Sequence, residues 1–281
     1  MRFGLDVAQH WLEWDEILRR VRFAEEAGFD GAWVFDHFKP NYADPSTGER
    51  NGPCMEAWTL LAALAAATER IRLGALVTGV TYRHPSILAT EAVTVDQVSR
   101  GRLELGIGAA WHEAEHRELG VPFPPRKERY ERLEEAVQVI EAIMTGERAN
   151  FRGRHFRLED AVYLPRPVQQ PHPPIWIGAS GERFTIPIAA RHADVWHCFG
   201  SREALRRKAS VLDESARRAG RDPSAIERAS DLSISEPWDE VRARSLGLGE
   251  AGFSYLVVGW PTEGWGRREE FVDRVFPSLG P

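Results

Sequence analysis

Cysteine, lysine and long apolar runs are all scarce in this sequence of 281 residues. The two cysteines, Cys54 and Cys198, lie far apart and suggest neither a disulfide framework nor a metal cluster, so a reducing compartment is expected. No apolar stretch approaches the ~20 residues that a membrane-spanning helix requires, and the first residues lack the charged and apolar segments of a signal peptide. The sequence therefore predicts a cytoplasmic protein without a membrane partner.

Basic charge is neither in excess nor clustered. The chain has 36 Lys and Arg against 42 Asp and Glu, a net charge of −6, and no basic block of the kind that follows a phosphate backbone. Nucleic acid is therefore not an expected partner. The length and composition permit one large domain or two small ones, with a full-sized core.

A short apolar run followed by an amphipathic stretch recurs eight times along the chain. In residues 13–28, for example, apolar side chains recur at three- and four-residue steps and the pattern stops at Gly28, which is typical of a helix with a glycine cap. Buried parallel strands read as continuous apolar runs, so the alternation predicts a single (β/α)8 barrel over residues 1–281, with an open doubly wound sheet as the alternative. The runs are 2–7, 31–36, 71–77, 102–108, 174–178, 193–197, 227–235 and 253–259.

Two segments interrupt this alternation. Residues 37–54 are polar and rich in Pro, Gly and Asn, and residues 145–173 contain a hairpin-like stretch before the Pro-rich "PRPVQQPHPP". We interpret both as short insertions at the carboxyl-terminal rim of the barrel. Because the loops after the strands build the active site of such barrels, residues just beyond each strand are the main functional candidates.

Residues 112–116 read "HEAEH", a literal match to the H-E-x-x-H zinc pattern. A zinc site would need a third ligand, for which Glu131, Glu134 and Glu135 can be considered. The stretch follows a strand and a Gly-containing turn, however, and so begins a helix. Since a helix N-terminus favours an anion over a dication, the sequence predicts no metal, and a solvated helix face explains the charges equally well.

Asp36 and His37 directly follow the second predicted strand. An imidazole at the barrel mouth can move a proton near neutral pH or hydrogen-bond a cofactor ring, although a His that merely caps the strand would look the same. Glu56, at the start of the next helix, is a weaker acid or base candidate because acidic residues there often serve the helix dipole.

The stretch "IWIGASGERF" (175–184) runs from a strand through a turn of small residues into a helix. Small residues allow backbone N–H groups to approach an anion, and barrels commonly hold phosphate in their later loops. A tight strand-to-helix turn that binds no ligand would have the same kind of sequence.

Several segments, in order, resemble the bacterial luciferase-like superfamily, and within it the coenzyme F420-dependent oxidoreductases. They are "GFDGAWVFDHF", "ERIRLGALVTGVTYRHPSILA", "GRLELGIGAAWHEAEHRELGVPFPP", "ERYERLEEAVQVI" and "PPIWIGASGERFTIPIAARHADVWH". The resemblance is close over residues 1 to about 200 and reaches the last strand through "FSYLVVGWP".

The resemblance implies roles for specific positions. His37 would be the catalytic residue, with Asp36 beside it near the reactive centre of the deazaflavin ring. Leu76 and Val77 match a dipeptide joined by a non-proline cis bond that backs the ring, with Thr78 next to it. The remaining cofactor-binding positions would be Ala110, Trp111 and His112 in the turn after the fourth strand and Gly178, Ala179, Ser180 and Gly181 in a phosphate-binding loop.

The implied activity is hydride transfer between coenzyme F420 and a small organic substrate, carried out by a homodimer. Two alternatives stay open: a monooxygenase that uses reduced FMN and oxygen, and a redox-inactive protein that only binds the cofactor. Some relatives place a catalytic Glu where this chain has Trp111, so the general acid is not assigned. The sequence does not identify the substrate.

Two further sets of side chains are expected at the mouth. An anionic cofactor tail would favour a basic rim, for which the candidates are Arg83, Arg166, Arg183 and Arg191. Trp33, Trp58, Trp111 and Trp176 suggest a partly aromatic mouth, although a buried Trp belongs more often to the core.

Overall fold

The computed structural model describes residues 1–44 and 47–279. Eight parallel strands form a closed barrel in the order β3-β2-β1-β11-β10-β9-β8-β5, and β3 pairs with β5 through Leu73 and Leu103 to close it. Each of the eight apolar runs supplies one barrel strand, so the predicted (β/α)8 barrel is confirmed. The strands are β1 (Arg2–Asp6), β2 (Gly31–Val34), β3 (Arg72–Ala75), β4 (Thr78–Gly79), β5 (Leu103–Gly108), β6 (Ala149–Arg152), β7 (Arg157–Ala161), β8 (Ile175–Gly178), β9 (Val195–His197), β10 (Glu227–Leu232) and β11 (Tyr255–Val258).

Helices cover the outside of the barrel. The first ends as its sequence predicts, on Gly28 at φ 83°, whose N–H bonds back to Ala24. Across residues 1–44 and 47–279, no helix combines the length and the apolar character needed to cross a bilayer. The helices are α1 (Trp14–Ala27), α2 (Ala57–Ala67), α3 (Pro85–Ser99), α4 (Glu113–Leu119), α5 (Arg126–Thr145), α6 (Thr185–His192), α7 (Arg202–Arg218), a 3-10 turn (Pro223–Ala225), α8 (Trp238–Glu250), α9 (Trp265–Arg274) and α10 (Phe276–Leu279).

Aromatic side chains fill the barrel interior. The rings of Trp33 and Trp176 lie 4.2 Å apart, and Tyr255 packs edge-on against Trp176 at 4.9 Å. Glycines make room for this plug, since a Cβ on Gly4 would lie 2.4 Å from the indole nitrogen of Trp33 and one on Gly74 would lie 2.5 Å from its ring. Trp33 and Trp176 thus belong mainly to the core. Any functional cavity must lie above them.

The two insertions differ in their placement. Residues 37–54 follow β2 and therefore lie at the carboxyl rim as predicted, with 45–46 outside the described residues. Residues 145–173 begin at the end of α5 and end at the start of β8, both at the amino-terminal end of the barrel, but between them the segment reaches the carboxyl rim, where the Phe156 ring lies 5.2 Å from that of His84, the N-cap of α3. Its hairpin, β6 paired with β7, runs along α5, where Glu135 accepts hydrogen bonds from the backbone N–H groups of residues 154–156.

Candidate active site

A cavity of about 670 Å³ opens at the carboxyl ends of the strands. Two smaller hollows, of about 440 and 420 Å³, contain none of the positions predicted to bind the cofactor. The main cavity is lined by most of them, namely Asp36, His37, Leu76, Val77, Ala110, Trp111, Gly178, Ala179, Ser180 and Gly181. The fold therefore brings together residues at the ends of β2, β3, β5 and β8.

Thr78 and His112 do not line this cavity. Thr78 is fully buried, and its hydroxyl accepts a hydrogen bond from the indole N–H of Trp58 at 3.0 Å. His112 caps α4, and its ring stacks on Trp111 at 4.8 Å. Trp111 itself is 64% exposed, so of the four tryptophans considered for the mouth it is the one that projects there. His112 therefore contacts a lining residue, Trp111, whereas the partner of Thr78, Trp58, does not line the cavity.

His37 is held by a carboxylate that the sequence did not single out. Its Nδ1 lies 3.0 Å from Oε2 of Glu115, a fully buried residue of α4. Glu115 also accepts hydrogen bonds from the Tyr82 hydroxyl and from the backbone N–H of Phe38, at 2.9 Å for the latter. Burial by itself would raise the pKa of Glu115, but the three hydrogen-bond donors outweigh this effect and lower the pKa to about 2.

The ionised Glu115 determines what His37 can do. Because the carboxylate only accepts hydrogen bonds, Nδ1 of His37 carries the proton that it donates to Glu115. In the neutral ring, Nε2 is then the acceptor, no described residue bonds to it, and His37 lines the cavity. This is the arrangement of a general base whose tautomer is fixed by a second residue.

The "HEAEH" residues build the wall behind His37. Both ring nitrogens of His116 have partners, the His112 carbonyl at 2.8 Å and the Thr81 hydroxyl at 2.6 Å. The ring of His116 also stacks on Tyr82 at 4.4 Å. With Glu115 bound to the loop after β2, the polar atoms of the motif hold two loops in place.

The three glutamates considered as a third zinc ligand also have other partners. Glu131 contacts His155 at 3.0 Å, Glu134 pairs with Arg191 at 2.6 Å and Glu135 binds the hairpin. In the part of the chain that the structure describes, no group of three or more His, Cys, Asp or Glu side chains is arranged to hold a metal ion.

Asp36 anchors the loop that follows β3. One of its oxygens accepts hydrogen bonds from Nη1 of Arg83 at 2.8 Å and from the N–H of Gly79 at 3.3 Å. Burial raises the pKa of Asp36, against the effect of Arg83. Arg83 also pairs with Glu56, which caps α2 by accepting from the N–H groups of Trp58 and Thr59. Glu56 does not line the cavity and serves as a helix cap, the alternative that the sequence left open.

The Leu76–Val77 peptide bond is cis, as the resemblance implies. Glycines on two neighbouring strands accommodate the Val77 side chain, since a Cβ on Gly108 would lie 2.7 Å from it and one on Gly178 would lie 3.0 Å away. Leu76 packs against the aromatic plug below. These two residues give the cavity one apolar wall.

The loop of residues 178–181 fits a phosphate group. Within the described chain, the backbone N–H groups of Ser180, Glu182 and Arg183 have no acceptor, and they precede helix α6. Gly181 donates its N–H to the Thr185 hydroxyl at 2.9 Å, which fixes the turn. Free amides at a helix N-terminus are a common anion site, so this chain offers a suitable cradle.

The basic rim predicted for an anionic tail is mostly absent. Arg83 is committed to its buried carboxylates, Arg166 donates to the carbonyl of Ile143 and Arg191 pairs with Glu134. Arg183 is exposed, follows the 178–181 loop directly and forms no ion pair with any described residue. These three arginines already bind groups of the fold itself, which leaves Arg183 as the candidate for a tail contact.

A second polar group on the far side of the cavity was not predicted. His197 ends β9, and its Nε2 lies 2.9 Å from Oδ1 of Asp231 on β10. Asp6, at the end of β1, also lines the cavity. Asp6 and His197 lie at or near the ends of predicted strands, which is the signal that could have identified them, whereas Asp231 lies inside the predicted run 227–235.

Comparison with known proteins agrees with this geometry. Residues 2–265 match the luciferase-like monooxygenase family. An F420-dependent glucose-6-phosphate dehydrogenase of Microbacterium testaceum is 31% identical over 241 residues, covering 84% of this chain and 68% of that relative.

Solved structures share the whole fold at lower identity. An F420-dependent secondary alcohol dehydrogenase, solved with an F420–acetone adduct, superposes with a TM-score of 0.88 at 20% identity, over 100% of this chain and 99% of the other. A monooxygenase from Streptomyces bottropensis gives a TM-score of 0.80 at 21% identity, over the full length of both. The chain belongs to the luciferase-like monooxygenase family.

Proposed function

We propose that this protein is an F420-dependent oxidoreductase that transfers a hydride between the deazaflavin and a small organic substrate. The observation that carries the proposal is His37, held in one tautomer by the buried Glu115 at the edge of a cavity that ends in a phosphate-type loop. The sequence similarity to an F420-dependent dehydrogenase supports the choice of cofactor.

The residues present fit the cofactor. The amides of the 178–181 loop would hold its phosphate, Leu76 and Val77 would lie behind its ring, and Asp36 holds the loop on which they are placed. When bound, a deazaflavin accepts from the substrate carbon a hydride, that is a hydrogen with two electrons, while a hydroxyl proton of the substrate leaves to a base. Nε2 of His37 is that base in our proposal, and Glu115 stabilises the imidazolium that results.

The nearest alternative is an FMN-dependent monooxygenase, because the fold is shared with one. Fluorescence titration of the purified protein with F420 and with FMN separates the two. We expect F420 to bind at micromolar concentration or tighter and FMN about tenfold more weakly, a difference of ~1.4 kcal/mol. FMN binding that equals or exceeds F420 binding would favour the monooxygenase.

The tail contact provides a matched pair of variants for the same titration. Arg183→Gln removes the unpaired cation beside the phosphate loop, and Arg191→Gln removes a cation of similar exposure that pairs with Glu134. We expect F420 affinity to fall two- to fivefold, about 0.5–1 kcal/mol, in the first variant only, with a weaker salt dependence. Equal effects of both variants would contradict a tail contact at Arg183.

We also propose a cytoplasmic homodimer. Both cysteines are free thiols, which suits a reducing compartment. Large apolar side chains are exposed together on α3 and on the segment packed against it, where the Tyr163 hydroxyl donates to the Thr90 carbonyl. These exposed side chains are Ile87, Val98, Val162, Leu164 and Val168. Light scattering at micromolar concentration tests the dimer, and Leu164→Glu should weaken it.

A further inference from the structure

The charge of the cavity lining restricts the substrate, and this restriction rests on the proposed function. No lysine or arginine is found among the described residues that line the cavity. The lining does include three carboxyl groups, Asp6, Asp36 and Asp231, and two imidazoles, His37 and His197. An anionic substrate group placed there would meet carboxylates and no cation.

Each carboxyl group already has a hydrogen-bond partner within the protein. Asp36 forms an ion pair with Nη1 of Arg83, and Oδ1 of Asp231 bonds to Nε2 of His197. Burial raises the pKa of Asp6 to about 7, although the N–H of Ala8 and the nearby charge of Arg268 oppose this shift. A cationic substrate would therefore find no carboxylate without a partner.

The cations near Asp6 do not reach the cavity. Arg268 is fully buried, and Arg20 and Arg268 pack on the two sides of Trp260 at 3.5 and 4.2 Å from its ring. Arg20 also pairs with Glu16. Both arginines thus stabilise the wall behind Asp6 and leave the cavity surface without positive charge.

The His197–Asp231 pair has the properties of a hydroxyl anchor. Nε2 of His197 is bonded to Asp231, and no described residue is a partner of Nδ1. With Nε2–H donating to the carboxylate, Nδ1 accepts from a ligand O–H. The Asp231 side chain is 51% exposed, so a carboxylate oxygen is also accessible. Ser233 lines the cavity next to them and adds a further hydroxyl.

Exposed aromatic rings flank the mouth of the cavity. Phe199 is 62% and Trp111 is 64% exposed, and both line it. Large exposed aromatic side chains around a concave site commonly mark a surface for an apolar ligand. We infer that the substrate is an uncharged compound with an apolar body that places a hydroxyl group on the His197–Asp231 pair. With the 178–181 loop taken by the cofactor phosphate, the rest of this lining excludes phosphate esters, such as the substrate named for the Microbacterium relative.

Three matched probes test the inference: para-benzenedimethanol, its monophosphate ester and para-(hydroxymethyl)benzylamine. They share an aromatic body and one hydroxymethyl group, and the other substituent is uncharged, anionic or cationic. Binding to the F420-loaded enzyme is measured by saturation-transfer NMR and calorimetry. We expect the diol to bind at least about tenfold more tightly than either charged probe. Tighter binding of the ester, tighter binding of the amine, or no binding of the diol would each overturn the inference.

Variants at the exposed member of the pair sharpen the test without disturbing the core. Asp231→Lys should strengthen binding of the phosphate ester at least about tenfold relative to the diol, and Asp231→Asn should not. His197→Gln should weaken binding of the diol, because it removes the anchor for the hydroxyl group. An Asp231→Lys protein with an unaltered ranking of the probes would show that they bind elsewhere and would overturn the inference.

The same probes distinguish this inference from the proposed function. The F420 titration tests the cofactor alone. If F420 fails to bind, the ranking is measured on the cofactor-free protein with inorganic phosphate present to occupy the 178–181 loop. A preserved preference for the diol would then support the uncharged site while the proposed function falls.

Discussion

Two imidazole–carboxylate pairs lie on opposite sides of one cavity, and they are built differently. His37 uses Nδ1 to bond a fully buried Glu115, whereas His197 uses Nε2 to bond Asp231, whose side chain is 51% exposed. The first carboxylate has two further donors, and among the described residues the second has none. A buried, fully bonded carboxylate fixes a proton on one ring nitrogen, and a half-exposed one leaves room for a ligand. The comparison therefore assigns proton transfer to the first pair and substrate contact to the second.

Replacing the two histidines should break this comparison most visibly. We expect His37→Gln to lower kcat by about 10²- to 10⁴-fold with little change in F420 affinity, because a general base is removed from an otherwise intact cavity. His197→Gln should mainly raise KM, because it weakens a contact made in the ground state and the transition state alike. Steady-state kinetics with an alcohol that the enzyme oxidises measures kcat and KM, and F420 titration measures the cofactor affinity. A fall in kcat of equal size in the two variants would contradict the division of roles.

The sequence was sufficient to predict the barrel and His37, but not Glu115 or the His197–Asp231 pair. Buried parallel strands are apolar along their whole length, so the eight runs were visible, and His37 follows one of them directly. Its partner could not be found in the same way, because Glu115 is 78 residues further along the chain and lies in a motif whose charges also fit an exposed helix face. His197 did have a strand-end signal, whereas Asp231 lies inside the predicted run 227–235 and had none.

Arginine shows the same limit. Arg83 and Arg166 were expected at a basic rim, yet one neutralises a buried Asp36 and the other satisfies a backbone carbonyl of α5. Sequence spacing reports which face of an element a side chain occupies. It does not report which carboxylate or carbonyl from another element will need that cation. The hairpin is a related case, because sequence spacing does not show that Glu135 of α5 accepts its backbone N–H groups.

Stability measurements sharpen the comparison between the carboxylates. Glu115→Gln should lower the free energy of unfolding by about 3 kcal/mol, because three donors lose a buried anionic acceptor. Asp231→Asn, at the half-exposed position, should cost less than about 1 kcal/mol. Urea denaturation followed by circular dichroism at pH 7 measures the difference. Similar losses in the two variants would mean that Glu115 contributes no more to the free energy of unfolding than Asp231 does.

A third histidine extends the comparison to pH. His10 is buried beside His37, with ring centroids 5.9 Å apart. Burial lowers the pKa of His10 to about 4, and the neighbouring His37 acts in the same direction. Between pH 6.5 and 4 the unfolded chain therefore binds a proton on this ring that the folded protein does not. The contribution of His10 to stability is present above pH 6.5 and is lost as the pH falls through this window.

Asp6 on the other side of the cavity acts in the opposite direction. Its pKa is raised to about 7 by burial, so between pH 4 and 7 the folded protein binds a proton that the unfolded chain lacks, and acid stabilises it. The two groups partly cancel in the wild type. We expect His10→Phe to remove up to about 2 kcal/mol of the destabilisation between pH 7 and 4.5, and Asp6→Asn to make that destabilisation steeper. Melting temperatures of both variants over this range, each compared with the wild type, test the assignment. If His10→Phe follows the wild-type pH profile, His10 is protonated in the folded protein, and the side of the cavity around His37 is more hydrated than its burial indicates.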